Sequence, residues 1–227
     1  MTTQAFPVNS PIRVLIADDH PVVRAGLRFS LSAAAGYELC GEAENADEAC
    51  ALAAKHAPRL IILDLNLGGR DGDKSVSQIR QLCPQASILV FSMNPEELFA
   101  ERALREGANG YLMKTDGFDE LHRAVRQVLA GEVYLSERLS KRLAGAAGGA
   151  KTPQGLATLT GRELQIFQRI GEGRSTAEIA AELGLSMKTI SAHRENVKRK
   201  LGVPNAAELI RQAVAWVLGR GNGEPKN

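Results

Sequence analysis

Cysteine and long apolar runs are both scarce in this sequence. Cys40, Cys50 and Cys83 are its three cysteines, widely spaced and odd in number. None forms the close C-x-x-C pairing of a zinc or redox site. That argues against a disulfide framework and leaves reduced thiols, packed in or near a core, as the expectation. No apolar run approaches the roughly 20 residues that cross a bilayer, and the start MTTQAFPVNSP lacks a charged-then-apolar leader pattern. A cytoplasmic protein with no membrane partner is therefore expected.

What is present is ordinary in amount and uneven in placement. A chain of 227 residues suffices for one large or two modest domains, and 44% hydrophobic with 24% charged residues suits a globular protein. Residues 1–133 carry 13 Lys+Arg against 18 Asp+Glu, a net of −5. Residues 134–227 carry 15 against 8, a net of +7, and the two parts make the overall +2. An acidic front and a basic back suggest two jobs, with nucleic acid a candidate partner for the second.

The front alternates strand and helix signals. Short β-branched or leucine-rich runs at 12–17, 60–64 and 87–92, with weaker ones at 37–43 and 110–113, read as strands. Amphipathic stretches at 21–33, 46–56, 72–82, 95–107 and 117–131 read as helices. Five strands alternating with five helices predict an α/β domain, a five-stranded parallel sheet doubly wound by helices. The stretch SKRLAGAAGGAKTPQG, rich in glycine and alanine, predicts a linker at about 140–157. Beyond it TGRE (Thr160 to Glu163) and STAE (Ser175 to Glu178) match capping boxes, and GLS at 184–186 separates two short helices. A fourth helix is expected after Pro204, at 205–218, giving a separate all-α helix-turn-helix domain of four helices. The expected layout is an extension at 1–10, a first domain at 11–131, a connecting segment at 132–157, a second domain at 158–220 and a tail at 221–227.

The run RVLIADDHPVVRAG ends its strand on two adjacent carboxylates, Asp18 and Asp19, which repel unless something positive joins them. Asp64 ends the third strand in LIILDLNLGGRDG. An order of 2-1-3-4-5, adopted from the doubly wound class rather than deduced, brings all three carboxylates to one crevice beyond the strand ends. Hard oxygen ligands with room for water suit Mg²⁺. Ser92 adds a hydroxyl at the end of strand four and Lys114 an ammonium at the end of strand five. Such a set would hold a phosphoryl group on Asp64. Each residue alone has a plainer reading: a solvated turn, a cap, a packed aromatic, a surface lysine. Their joint order carries the reading.

Asp18, Asp19, Asp64, Ser92, Tyr111 and Lys114, in this order on these strand ends, resemble the flavodoxin-like receiver domain of two-component response regulators. The resemblance covers residues 11–131. It implies Asp64 as phosphoacceptor for a sensor histidine kinase or a small phosphodonor. Asp18, Asp19, Asp64 and the backbone carbonyl of Asn66 would hold Mg²⁺, Lys114 would pair with the phosphate, and Ser92 and Tyr111 would turn toward it as a switch. Two positions depart from the family. Gly68 stands where a proline is usual, and Thr115 where a proline with a cis bond often follows the lysine. Neither removes a ligand. Loop geometry and phosphoryl lifetime are the properties these changes touch.

The segment LTGRELQIFQRIGEGRSTAEIAAELGLSMKTISAHRENVKRKLGV resembles the LuxR-type DNA-binding domain, and the whole chain resembles the NarL/FixJ class. Ile179, Leu183, Leu185, Ile190, Val197 and Leu201 recur at helical spacing as a candidate core. The helix at 187–201 is expected in the major groove of double-stranded promoter DNA. Lys188, Thr189, His193, Lys198 and Arg199 are assigned to the DNA backbone, and Ser191, Ala192 and Glu195 to bases. Trp216 and Val217 either finish the core or form a homodimer contact. No catalysis is expected beyond self-phosphorylation and its reversal. A phosphatase would need a general acid that LDLNL does not supply two residues on. The remaining alternative is a phosphorylation-independent regulator of LuxR type, whose receiver docks or senses.

Overall fold

The computed structural model describes residues 11–67, 72–145 and 156–221, and the chain divides after Gly145 into two compact units. Gly68, the extension at 1–10, linker residues 146–155 and tail residues 222–227 lie outside the described residues.

In the first unit, β1 (Ile12–Ala17), β2 (Tyr37–Ala43), β3 (Leu60–Leu63), β4 (Ser87–Ser92) and β5 (Gly110–Met113) form one parallel sheet in the order β2-β1-β3-β4-β5. The order adopted from the doubly wound class is the one observed. Its helices are α1 (Pro21–Ala33), α2 (Ala46–His56), α3 (Gly72–Leu82), α4 (Glu96–Arg105) and α5 (Gly117–Leu129). Strand side chains alternate between two buried faces. Val14, Ile16, Leu60, Ile62, Leu89, Phe91 and Leu112 pack with Leu27 and Leu31 of α1 and Leu121, Val125 and Val128 of α5. The alternate residues, Leu15, Ile61, Leu63, Ile88, Val90 and Tyr111, are buried as well. Local chemistry sets the boundaries. Pro21 opens α1 where a missing N–H costs nothing, and Asn45 caps α2 by accepting the Glu48 N–H at 2.9 Å. Arg80 holds the turns before β4 and β5, donating to the carbonyls of Pro84, Ala86 and Gly107.

The connecting segment departs from its expected form. Residues 140–145, expected as linker, belong to a helix, α6 (Glu137–Gly145). Just before it, Tyr134 pairs with the edge of β5, its N–H donating to Asn109 O and its O accepting from Tyr111 N–H, both at 3.0 Å. The Ser136 hydroxyl bonds the Glu96 carboxylate, Arg138 lies 3.1 Å from Glu97, and Leu139 is buried. These contacts, with residues 23 to 41 positions away in sequence, hold a helix that glycine and alanine content argues against.

The second unit contains α7 (Gly161–Gly171), α8 (Thr176–Glu182), α9 (Met187–Leu201) and α10 (Ala206–Gly221). Both capping boxes form. Thr160 Oγ1 accepts the Glu163 N–H while Glu163 accepts the Thr160 N–H, and Ser175 and Glu178 do likewise. Ser186 caps α9 by accepting the Thr189 N–H at 3.1 Å. Ile179, Ile190 and Val197 are fully buried as expected, whereas Leu183, Leu185 and Leu201 are half-buried. Ile166, Phe167 and Ile170 of α7 and Leu209 and Ala213 of α10 supply the rest of the core. The two helices cross closely at Gly171, where a Cβ would lie 2.4 Å from the Ala213 carbonyl oxygen. Among the described residues no helix is long and apolar enough to cross a membrane.

Candidate functional site

The carboxyl ends of β1 and β3 place Asp18 and Asp64 side by side, and both are buried. The Asp64 N–H donates to Ala17 O at 2.8 Å, so the residue is held by the sheet although it follows the last strand position. Lys114, one residue past β5, brings Nζ to 2.6 Å from Asp18 Oδ2 and 2.6 Å from Asp64 Oδ2. Asp19 is half-exposed at the rim. His20 Nδ1 lies 2.6 Å from Asp19 Oδ1 and 3.3 Å from Asp18 Oδ1. Ligand atoms of Asp18, Asp19, His20 and Asp64 all fall within 4.8 Å of one another. Burial pushes the Asp64 carboxyl up from its ordinary value, against the pull of Lys114. Burial would lower the Lys114 ammonium, but Asp64 and Asp18 outweigh it and hold that group above its ordinary value.

Around this cluster the other expected residues fall in two places. The Asn66 N–H donates to Asp64 Oδ1 at 3.2 Å, so its backbone borders the carboxylate. Ser92 is fully buried, its hydroxyl accepting the Asn94 N–H at 3.3 Å. Tyr111 is also fully buried and its phenol donates to Asn94 O at 2.9 Å. The ring expected to swing inward on phosphorylation is therefore already inside. After Lys114 the chain makes a 3₁₀ turn, Lys114–Asp116, with trans peptides, and Thr115 sits in it in place of the family's proline.

Reading from sequence passed over Arg24. Its guanidinium is buried, donates to the Asp18 carbonyl at 2.7 Å, and meets Glu44 and Glu42 at the end of β2. The available signal was an arginine on the apolar stripe of α1, in register with Leu27 and Leu31.

In the second unit, α9 presents Lys188, Ser191, Ala192, Glu195 and Arg199 as one exposed stripe at helical spacing. Thr189 and His193 are half-buried beside it, with the Thr189 hydroxyl 2.8 Å from that of Ser186. Lys198 lies 2.8 Å from Glu195, and Arg199 bonds Asn196. Lys200, last of the KRK run, instead reaches back 2.5 Å to the buried Glu163 of α7. Trp216 packs on Phe167 with ring centroids 5.4 Å apart, and Val217 lies against Gly171, so both serve their own unit's core.

The family model of the response regulator receiver domain matches residues 14–126, and that of the bacterial regulatory proteins of the luxR family matches residues 157–213. Over 211 residues the chain is 34% identical to the nitrate/nitrite response regulator protein NarL of Escherichia coli, a match spanning 92% of this chain and 96% of that protein. This chain belongs to the NarL/FixJ class of two-component response regulators. Solved structures of the RcsB response regulator of Salmonella resemble it too. RcsB of Salmonella enterica serovar Typhimurium bound to promoter rprA with the phosphomimetic BeF3⁻ is 29% identical, covers 89% of this chain and 98% of that one, and has a TM-score of 0.60. A structure of two RcsB dimers bound to two parallel DNAs is 27% identical, covers 92% and 98%, and has a TM-score of 0.56. The acidic cluster thus lies in the receiver domain of this response regulator, and α9 lies in its LuxR-type DNA-binding domain.

Proposed function

We propose that this response regulator is switched by phosphorylation of Asp64 and controls transcription through α9. The observation that carries the reading is the Lys114 ammonium held between two buried carboxylates. Three carboxylates against one ammonium leave two negative charges among hard oxygen donors, a set that fits Mg²⁺. Asp18, Asp19, Asp64 and the Asn66 carbonyl would hold the ion, which when bound supplies charge neutralisation for phosphoryl oxygens. An Asp64 carboxylate oxygen attacks the phosphorus of a kinase phosphohistidine or a small phosphodonor. The bond from phosphorus to the donor breaks, and its electron pair leaves with the donor. Lys114 then pairs with the new phosphoryl oxygens. The Ser92 hydroxyl donates its O–H to one of them, while Tyr111 stays packed behind Asn94.

A change at Asn94 is passed to Glu96 and Glu97, and from there to Ser136 and Arg138 at the start of α6, which leads into the linker. The outcome is a population shift that favours a DNA-bound homodimer in the cytoplasm. Lys188, Arg199 and Lys198 would meet phosphates with Thr189 and His193 at their flank, and Ser191, Ala192 and Glu195 would face bases. With Trp216 and Val217 engaged in the core, a dimer contact on α10 would use its exposed residues Ile210 and Leu218. The structure of two RcsB dimers bound to two parallel DNAs supports a dimeric DNA-bound form.

The deciding experiment is intact mass after incubation with acetyl phosphate and Mg²⁺, beside Asp64→Asn. A hydroxylamine-labile phosphoryl adduct on the wild type only, with tighter promoter binding, is expected. DNA binding that responds equally in the Asp64→Asn variant would sink the switch and favour a phosphorylation-independent regulator.

A further inference from the structure

Asp18 is held at its backbone and at one carboxylate oxygen. Its N–H donates to Ala43 O at 3.0 Å, its Oδ1 accepts the His20 N–H at 2.9 Å, and its Oδ2 faces Lys114. The remaining atom, its backbone carbonyl, accepts from Arg24 Nη1 at 2.7 Å in a buried contact. Arg24 lies one turn into α1 on the face otherwise given to Leu27 and Leu31, with only 10% of its side chain exposed. A guanidinium there is costly to desolvate, and a well-packed apolar side chain would serve stability about as well. The charge must be kept for something other than packing.

The partners show what that is. Besides the Asp18 carbonyl, the guanidinium bonds Glu44 and lies 3.5 Å from Glu42. Glu42 and Glu44 flank Ala43, the residue whose carbonyl takes the Asp18 N–H. One planar fork therefore ties the carbonyl side of Asp18 to the strand end that already holds its amide side. Glu42 also pairs with Arg28 at 2.8 Å, so two carboxylates face two guanidinium groups and the Arg24 charge is matched within its own cluster.

We infer that Arg24 is a positioning residue for the phosphorylation pocket. It fixes the turn after β1 so that Asp18 and Asp19 present their oxygens to a divalent cation in one arrangement. The inference rests on the pocket reading above. The guanidinium fork is the operative feature, and a lysine, with its single flexible point charge, cannot span the carbonyl and both carboxylates.

The test uses the full-length chain freed of metal, with Mg²⁺ affinity read by titration calorimetry. The Mg²⁺ dependence of phosphorylation by acetyl phosphate and the melting temperature are measured alongside. Outer partners of metal ligands are typically worth about ten- to a hundredfold in affinity. Arg24→Met should weaken Mg²⁺ binding about tenfold and raise the half-saturating Mg²⁺ by the same factor. The rate at saturating Mg²⁺ should stay within about threefold. Arg24→Lys should recover melting temperature but not affinity. Glu44→Gln, which keeps the Asp18 carbonyl bond, should bind Mg²⁺ as the wild type does. An Arg24→Met protein that melts lower yet binds Mg²⁺ normally would reduce Arg24 to a structural residue and overturn the inference. If that variant does not fold, wild-type affinity in Arg24→Lys overturns it equally. A wild type that binds no Mg²⁺ would remove the pocket reading and this inference together.

Discussion

The charges of the pocket and those of α9 follow different physics. In the pocket, Asp18, Asp64 and Lys114 are nearly dry, each is fixed by two or more neighbours, and water screens them little. On α9, Lys188, Glu195 and Arg199 stand in solvent, where salt at about 0.1 M confines their reach to about 10 Å. On the proposed reading, the first arrangement would make every side chain indispensable to one small reaction. The second would spread binding over many weak contacts, no one of which decides the outcome. Both use a handful of charged residues, and burial is what separates them.

Removing Lys114 should have the largest effect. Lys114→Met leaves two buried carboxylates without their cation, a loss of about 3–5 kcal/mol in receiver stability without metal. Chemical denaturation measures it. Millimolar Mg²⁺ should restore more stability to this variant than it adds to the wild type. A loss under about 1 kcal/mol would place Lys114 with the screened surface charges and erase the contrast.

Lys200 sharpens the contrast within α9 itself. It sits in the KRK run yet points to Glu163, which is 3% exposed. Burial would raise the Glu163 carboxyl, but bonds from Lys200 and Thr160 outweigh it and hold the group below its ordinary 4.5. The folded unit thus binds that proton more weakly than the unfolded chain. The pair's contribution is complete above pH 4.5 and fades as pH falls through the lower folded value. Lys200→Met should cost about 1.5–3 kcal/mol of stability at pH 7, flatten this acid-side loss, and leave the salt dependence of DNA binding unchanged. A shallower salt slope would instead put Lys200 among the phosphate contacts.

Local pattern made much of this legible. Strand and helix periods predicted the boundaries of β1, β2, β4, β5 and the first three helices, and the strand-end positions of Asp18, Asp64 and Lys114 are the ones the structure brings together. What stayed hidden depends on residues far apart in sequence. The helix at Glu137–Gly145 is held by Glu96, Glu97 and the β5 edge. Arg24 makes sense only beside the end of β2. The core of the second unit was placed in α8 and α9, because their motif is conspicuous, although Phe167 and Leu209 on the flanking helices are buried more deeply than Leu183 or Leu201. Burial on a shared face, unlike periodicity, is settled by partners.

The smallest expected effect concerns Glu195, the one acid on the exposed stripe of α9. Its carboxylate lies 2.8 Å from Lys198. An acid there repels phosphates and occupies a neighbouring cation; on the proposed reading it is kept because it discriminates among bases. Glu195→Gln should tighten binding to arbitrary duplexes by at most about 1 kcal/mol while narrowing the gap between promoter and non-promoter DNA. Arg199→Ala should act in the opposite way, weakening all duplexes alike and lowering the salt slope by about one counterion. Salt-titrated fluorescence anisotropy on both kinds of DNA separates the two. Equal tightening on both, with the gap unchanged, would make Glu195 a plain electrostatic brake and leave base reading to Ser191 and Ala192.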